Sequence, residues 1–361
     1  MKFRFKMPSY FKKIAQLFLF LGLGIFFIWF SVKDLKPEDI EIIKNSTAGI
    51  LNSKSLLFIF ISIVCGTIAH YFRALRNILL IDPLGYKTRK TTAFYSVMTC
   101  YLANLAIPRL GEVLRCTILQ RYDQIPFQKS FGTVVVERAF DFIIFVLLMI
   151  LIIFVNNGLL SELMVDKENG ITLGVWVYNK WTVVWKLKYF IIGFLTGLIF
   201  AFVIRYRKKK RGTLKTIKKQ SKIVVKIKNI VVGLWQGLIS VKDLKHPYLF
   251  IIYTIAIWVF YYLGVFLCFF AFDFLQHLSP MPAFVVLVVG AIGFMVAQGG
   301  LGAYPLIAAG VLVLYGIDYA QGLAAGWIGW SAQTLMILIV GFASLILASF
   351  LKVENRAVVN G

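Results

Sequence analysis

Ala106-Ile107-Pro108-Arg109-Leu110-Gly111-Glu112-Val113-Leu114-Arg115 sets three charges beside a proline and a glycine, inside an otherwise apolar part of the chain. One segment later comes Val136-Glu137-Arg138-Ala139-Phe140-Asp141. At membrane depth each such charge costs about 2.5–3.5 kcal/mol even on lenient scales. Acids and bases alternate here, so the charges can offset one another. Pro108 and Gly111 suit a broken helix.

Membrane depth is the right frame for these charges. The chain has 361 residues, is 60% hydrophobic and has a mean hydropathy of +0.81. Those values exclude an ordinary soluble protein. Several apolar runs reach the roughly 20 residues that a helix needs to cross a bilayer. The alternating ten-residue segments of a membrane β-barrel do not appear. The fold class is all-α, a polytopic integral membrane protein. The net charge of +23 lies mostly in loops and tails. It therefore points to the positive-inside rule and to anionic lipid headgroups, not to nucleic acid.

Lys2, Arg4, Lys6, Lys12 and Lys13 precede an apolar run from Ile14 to Val32. That run is long for a signal peptide and lacks a small-residue cleavage site, so it is expected to be a retained first helix. The loop from Lys33 to Lys54 balances four acids with four bases. A second span, Ser55 to Ile81, ends with Arg73 and Arg76 and leads into a basic connection, Pro83 to Lys90. Another span, Leu187 to Ile204, follows a loop carrying Glu162, Asp166 and Glu168. Arg205 to Lys245 then holds fourteen Lys/Arg and one acid, which marks it as cytoplasmic.

Parity fixes the rest. With the N-terminus inside, the chain must cross once, net, between 90 and 156. It nonetheless offers two apolar stretches there and a shorter one. A re-entrant hairpin resolves this: 91–107 enters, Pro108–Gly111 turns, and 112–122 returns, after which 130–155 crosses. The C-terminal third repeats the pattern. Tyr248 to Phe272 crosses, Pro282 to Ala297 enters, Gln298 to Pro305 interrupts, Leu306 to Tyr315 returns and Gln321 to Leu351 crosses. The expected architecture is a single transmembrane domain over 1–361 with about six full spans and two re-entrant hairpins. Its half-repeats, about 55–155 and 248–351, run in opposite directions. Opposed broken segments in inverted halves point to a transporter's central site. Plain full spans at 91–107 and 282–297 are the alternative.

Arg109, Glu112 and Arg115 fall three apart, a spacing that aligns them on one helical face. Arg109, at the turn, would reach deepest, and the arginine fork suits phosphate. Interfacial snorkelling is the plainer reading. Glu137 and Asp141 are four apart, two to three turns into a helix beginning near Ser130, and Arg109 and Arg115 are the obvious partners for Asp141. These acids serve either as counter-ions or as a structural ion-pair network. His70 reads as structural, and Arg73 and Arg76 as interfacial anchors for lipid phosphate. Gly299, Gly300 and Gly302 either offer backbone N–H groups to an anion or let helices approach closely. Lys208 to Lys228 alternates bases with apolar residues, like a helix on an anionic membrane surface. Trp176, Trp181 and Trp185 look like an interfacial belt. No phosphate-binding GxxxxGK[ST] loop, metal motif or hydrolase nucleophile motif appears. Cys65, Cys100, Cys116 and Cys268 show no metal or disulfide spacing. No cofactor or metal is expected.

The run from Asn104 through Pro108, Arg109, Gly111, Glu112 and Arg115, followed by Glu137-Arg138-x-x-Asp141, resembles the flippase-like family, also described as the lysylphosphatidylglycerol synthase transmembrane domain family. Gly299 to Gly302 matches its later glycine turn, and the resemblance covers nearly the whole chain. Two departures stand out. Ala303-Tyr304-Pro305 follows the glycine turn where an acid is common. Trp330, Ser331 and Gln333 occupy a region of the last helix that often carries arginine. The resemblance implies movement of a phospholipid or isoprenoid phosphate across a bacterial inner membrane, with both termini cytoplasmic. Arg109, Glu112, Arg115, Glu137, Arg138, Asp141, Asn104 and the three turn glycines would face the substrate. Some relatives carry a cytoplasmic aminoacyl transferase domain. The ten residues after 351 leave no room for one, so a stand-alone transporter without enzymatic activity is expected. Its partners are membrane lipids with anionic headgroups, and self-association or an unidentified membrane partner stays open. Two other readings are a non-catalytic subunit with a structural charged core and an intramembrane lipid transferase using Glu112 or Asp141 as base.

Overall fold

A computed structural model describes residues 22, 25–30, 32–33, 35–155 and 240–353. The chain divides into two compact units, Met1–Met149 with Ile230–Gly361, and Ile150–Asn229. Only 150–155 of the second unit are described, and they end a helix. The span Leu187 to Ile204, the Trp176–Trp185 loop, Lys208 to Lys228 and most of Ile14 to Val32 lie outside the described residues.

All regular structure among the described residues is helical. The helices are α1 (Pro37–Ala48), α2 (Ser53–Ile81), α3 (Lys90–Ala106), α4 (Leu110–Asp123) and α5 (Phe127–Val155), then α6 (Pro247–Phe269), α7 (Pro280–Val296), α8 (Ala303–Val313) and α9 (Tyr319–Ser349). Three stretches among the described residues are long and apolar enough to cross a membrane: Ser53–Leu84, Pro247–Phe269 and Tyr319–Ser349. At about 1.5 Å per residue, the 29 residues of α2 extend roughly 43 Å. Its start is set by Asn52, whose side chain accepts a hydrogen bond from the Ser55 N–H at 2.7 Å. Asp318 starts α9 in the same way, accepting from Ala320 N–H at 2.8 Å.

The polar segment 33–54, expected as a loop, contains α1. Pro37 occupies its first turn and the Lys36 N–H donates to Asp39 at 2.7 Å, a local start signal that hydropathy does not register. α1 rests against α9.

α2 packs along α6, and α9 packs against both α3 and α8. Small residues set these distances, as is usual where lipid tails compete with side chains for contact. At Gly326 on α9 a Cβ would come within 2.8 Å of the Pro305 backbone on α8. On the outside, α5 presents Phe142, Ile143, Val146, Leu147, Ile150, Leu151 and Phe154, and α6 presents Tyr248, Ile251, Ile252, Ile255 and Val259. Exposed apolar faces of this length fit hydrocarbon and not water.

Both broken segments form helical hairpins. Pro108 disfavours a helical backbone in the residue before it, so Ile107 is extended (φ −137°, ψ 123°) and α3 ends at Ala106. The second turn passes through an extended Ala297 and then Gly299 (φ 61°), Gly300 (φ 73°) and Gly302 (φ 71°), a backbone natural to glycine. The two turns touch. Gln298 Nε2 donates to the backbone carbonyls of Asn104 (3.2 Å) and Leu105 (2.9 Å). Those carbonyls belong to the last turn of α3, where intrahelical donors run out.

Candidate functional site

Three elements, α2, α4 and α5, carry the charges, and α5 joins them. Asp141 lies about four turns into α5, deeper than a start at Ser130 implied, because the helix begins at Phe127. Its carboxylate does not pair with Arg109 or Arg115. It is held by two arginines of α2: Arg73 bonds Oδ2, and Arg76 bonds Oδ1 at 2.7 Å. The side chains of Arg73 and Arg76 are 6% and 0% exposed, so they are not anchors at a lipid surface. They are three apart on α2 and so share its face toward α5. Thr254 accepts a further bond from Arg76 at 3.3 Å, and Tyr261 accepts one from Arg73 at 3.4 Å, both from α6.

One turn back on α5, Glu137 takes both arms of Arg115, at 2.9 and 3.0 Å. Both side chains are 2% exposed. This bidentate geometry is the strong form of the pair. Arg115 is therefore committed to a carboxylate through both terminal nitrogens and is buried, whereas Arg109 is exposed. The third carboxylate, Glu112, receives Arg138 at 3.1 Å and the amide of Asn104 at 3.3 and 3.4 Å. Arg138 remains 42% exposed and Glu112 19%.

Asn104 also builds the turn. Its Oδ1 accepts from the Gly111 N–H at 2.8 Å, satisfying a donor in the first turn of α4. Gly111 sits directly against the Cys100 carbonyl, where no Cβ fits. Arg109 caps α4 in a left-handed conformation (φ 64°, ψ 2°), is exposed, and makes no ion pair or hydrogen bond with any described residue.

Aromatic rings link the pairs. Tyr101 on α3 lies 5.8 Å from the Arg73 guanidinium and 5.9 Å from that of Arg138. His70 lies against Tyr101, with ring centroids 4.2 Å apart and the rings tilted by 51°, and approaches the Tyr261 hydroxyl at 3.5 Å. His70 thus belongs to the buried polar core. Four arginines (73, 76, 115 and 138) face three carboxylates (Glu112, Glu137 and Asp141) within this cluster. The Nε atoms of Arg73, Arg76 and Arg115 are buried without an acceptor.

The glycine turn is packed from several sides. A Cβ on Gly302 would lie 2.8 Å from Ile28 N, one on Gly300 would strike the Phe294 ring, and one on Gly299 would touch Leu105. Trp330 Nε1 donates to the Gly299 carbonyl at 2.7 Å. Gln333 donates to Ser62 on α2, at 3.3 Å to the carbonyl and 3.2 Å to the hydroxyl. Trp330 and Gln333 tie α9 into the core. Tyr101, Tyr261, Thr254 and Gln298 were not legible as site residues. The sequence signal of the first three is only a polar or phenolic group within an apolar run, and Gln298 reads only as the start of the broken glycine segment. Among the described residues no group of three or more His, Cys, Asp or Glu side chains could hold a metal, and the four cysteines are buried and unpaired.

These features define a multi-pass helical membrane protein with an ion-paired interior and two broken helical hairpins meeting at their turns. The family model for the lysylphosphatidylglycerol synthase TM region matches residues 14–341, and the chain belongs to that family. No curated protein and no solved structure matches the chain.

Proposed function

We propose that this protein is a flippase-like transporter that moves a phosphate-bearing lipid, a phospholipid or an isoprenoid phosphate, across a bacterial inner membrane. The observation that carries this reading is Arg109. A left-handed backbone costs a non-glycine residue roughly 1–2 kcal/mol. A cation at a helix N-terminus works against the macrodipole by about 0.3–1 kcal/mol. Arg109 bears both penalties at an exposed turn and has no carboxylate of its own. A residue kept against two local preferences marks a working site. An anionic headgroup would remove the second penalty.

The wider cluster supports the same ligand. Asp141 is shared by two arginines, so the cluster carries more positive than negative charge before any ligand arrives. In this reading Arg109 and the half-exposed Arg138 receive the phosphate, Glu112 and Asn104 position Arg138, and the deeper pairs hold the helices around them. The two hairpins act as re-entrant elements of inverted halves, with both termini cytoplasmic and no enzymatic step. A purely structural role is the second reading, favoured by the buried bidentate pairing of Arg115 with Glu137.

Lipid translocation in proteoliposomes separates the two. Wild type and Arg109→Asn, a residue that tolerates the left-handed backbone, are compared on phosphatidylglycerol, aminoacylated phosphatidylglycerol and polyprenyl phosphate. Transport of one class, lost in a variant of unchanged thermal stability, is the expected result. Equal transport by both proteins sinks the assignment of Arg109, and no transport of any class by folded wild type favours the structural reading.

A further inference from the structure

An apolar groove of about 400 Å³ runs between the α3–α4 hairpin and α9. Leu102, Leu105 and Ala106 of α3, Leu114 of α4, and Phe342 and Leu345 of α9 are among its walls. That volume is within the range of ligand pockets, about 300–1,000 Å³. Its α9 wall faces outward, with Phe342 53% and Leu345 44% exposed, so the groove is open along its side. Its inner limit is set where α9 meets α3: a Cβ on Gly341 would come within 2.9 Å of the Leu102 Cβ. On the hairpin the lining reaches Ala106 and resumes at Leu114, so it brackets the turn that carries Arg109.

The geometry points to this groove as the seat of a hydrocarbon chain of the lipid whose phosphate meets Arg109. The inference rests on the phosphate-lipid reading above and adds to it where the tail lies. The chemistry matches along its length. The walls, which Thr99 and Ala103 of α3 complete, are aliphatic and phenyl apart from one hydroxyl and offer little to a polar polymer, and the side opening lets a chain enter from the bilayer without leaving hydrocarbon. The groove ends beside the turn that carries Arg109, a cation without a partner among the described residues, which neither bulk hydrocarbon nor a second apolar helix would satisfy. A lipid carrying a phosphate on its chain satisfies both ends at once. The lining from Leu338 to Leu345 covers roughly 10 Å of α9, enough for part of a chain, and the remainder would trail into the membrane.

The test uses the full chain in maltoside micelles, which contain no phosphate. It is photolabelled with phosphatidylglycerol bearing a diazirine in its acyl chain, or with diacylglycerol bearing the same chain, and adducts are mapped by peptide mass spectrometry. The phosphate lipid should label the Leu105–Ala106 and Phe342–Leu345 peptides roughly tenfold more than diacylglycerol does, the scale of one charge-assisted contact. Arg109→Asn should bring its labelling down to the diacylglycerol level. Ala103→Trp, which fills the groove, should abolish labelling without changing the unfolding temperature. Equal labelling by the two lipids, or labelling undiminished in Arg109→Asn, overturns the inference and leaves the groove a passive contact with hydrocarbon or with a second copy. Translocation by the same proteins reconstituted in proteoliposomes keeps the two claims apart. Transport without groove labelling removes the groove alone. Headgroup-dependent labelling without transport removes the flippase reading alone.

Discussion

At the residue scale, the decisive arrangement is one carboxylate shared by two arginines. Removing Asp141 strands two buried cations, and removing one partner of a buried pair typically costs about 3–5 kcal/mol. Asp141→Asn is therefore expected to destabilise the protein by about that amount. Arg76→Met leaves the Arg73–Asp141 pair balanced and should cost clearly less. Thermal unfolding in detergent compares the two, and equal losses would contradict the shared-carboxylate account. The sequence spacing could not reveal this pairing. Arg109, Glu112 and Arg115 look collinear only if all three are helical, and the left-handed backbone at Arg109 breaks that period. Asp141 seemed nearest to arginines close in sequence, whereas its partners come from α2, 65 and 68 residues away. Periodicity shows which face of a helix a side chain occupies, but not which helix lies opposite.

At the element scale, the hairpins were the most legible part of the chain. Expected at 91–107 and 112–122, the first appears as Lys90–Ala106 and Leu110–Asp123. Pro108 disfavours a helical Ile107 and lacks an N–H, so the stop is written in the local sequence. α1 was missed because a balanced charge content reads as loop, while its helix is made by a proline start, a backbone cap and the support of α9. The hairpin crossing depends on Gly111. A methyl group there meets the Cys100 backbone, so Gly111→Ala should cost about 1–3 kcal/mol through forced separation of α3 and α4. Gly310→Ala has open space around its Cβ and should be neutral or slightly stabilising. Equal unfolding temperatures for the two variants would show that the crossing is not tightly packed.

At the scale of the whole molecule, the open matter is which loops share a side of the membrane. All four cysteines are buried, so a membrane-impermeant maleimide should leave the folded wild type unlabelled, and single added cysteines will report cleanly. Lys44→Cys on α1 should label only from the periplasmic face, and Asp243→Cys only from the cytoplasmic face of inverted vesicles. Labelling of both from one face would overturn the inverted arrangement. Composition and loop charge made the membrane class plain, and the family match agrees with it. Orientation is read from the basic N-terminus, the Pro83–Lys90 connection and the Arg205–Lys245 stretch, since the positive-inside rule acts through loops and not through packing.

The contact between the two turns has a consequence for hydration. Gln298 covers two carbonyls at the end of α3 that would otherwise need another donor. Any working cycle that draws the hairpins apart uncovers those carbonyls, and no neighbouring backbone N–H can replace the amide at a helix end. The seam must then admit water each time it parts and expel it each time it closes, so the rate of that wetting sets an upper bound on how fast the two turns can separate and rejoin.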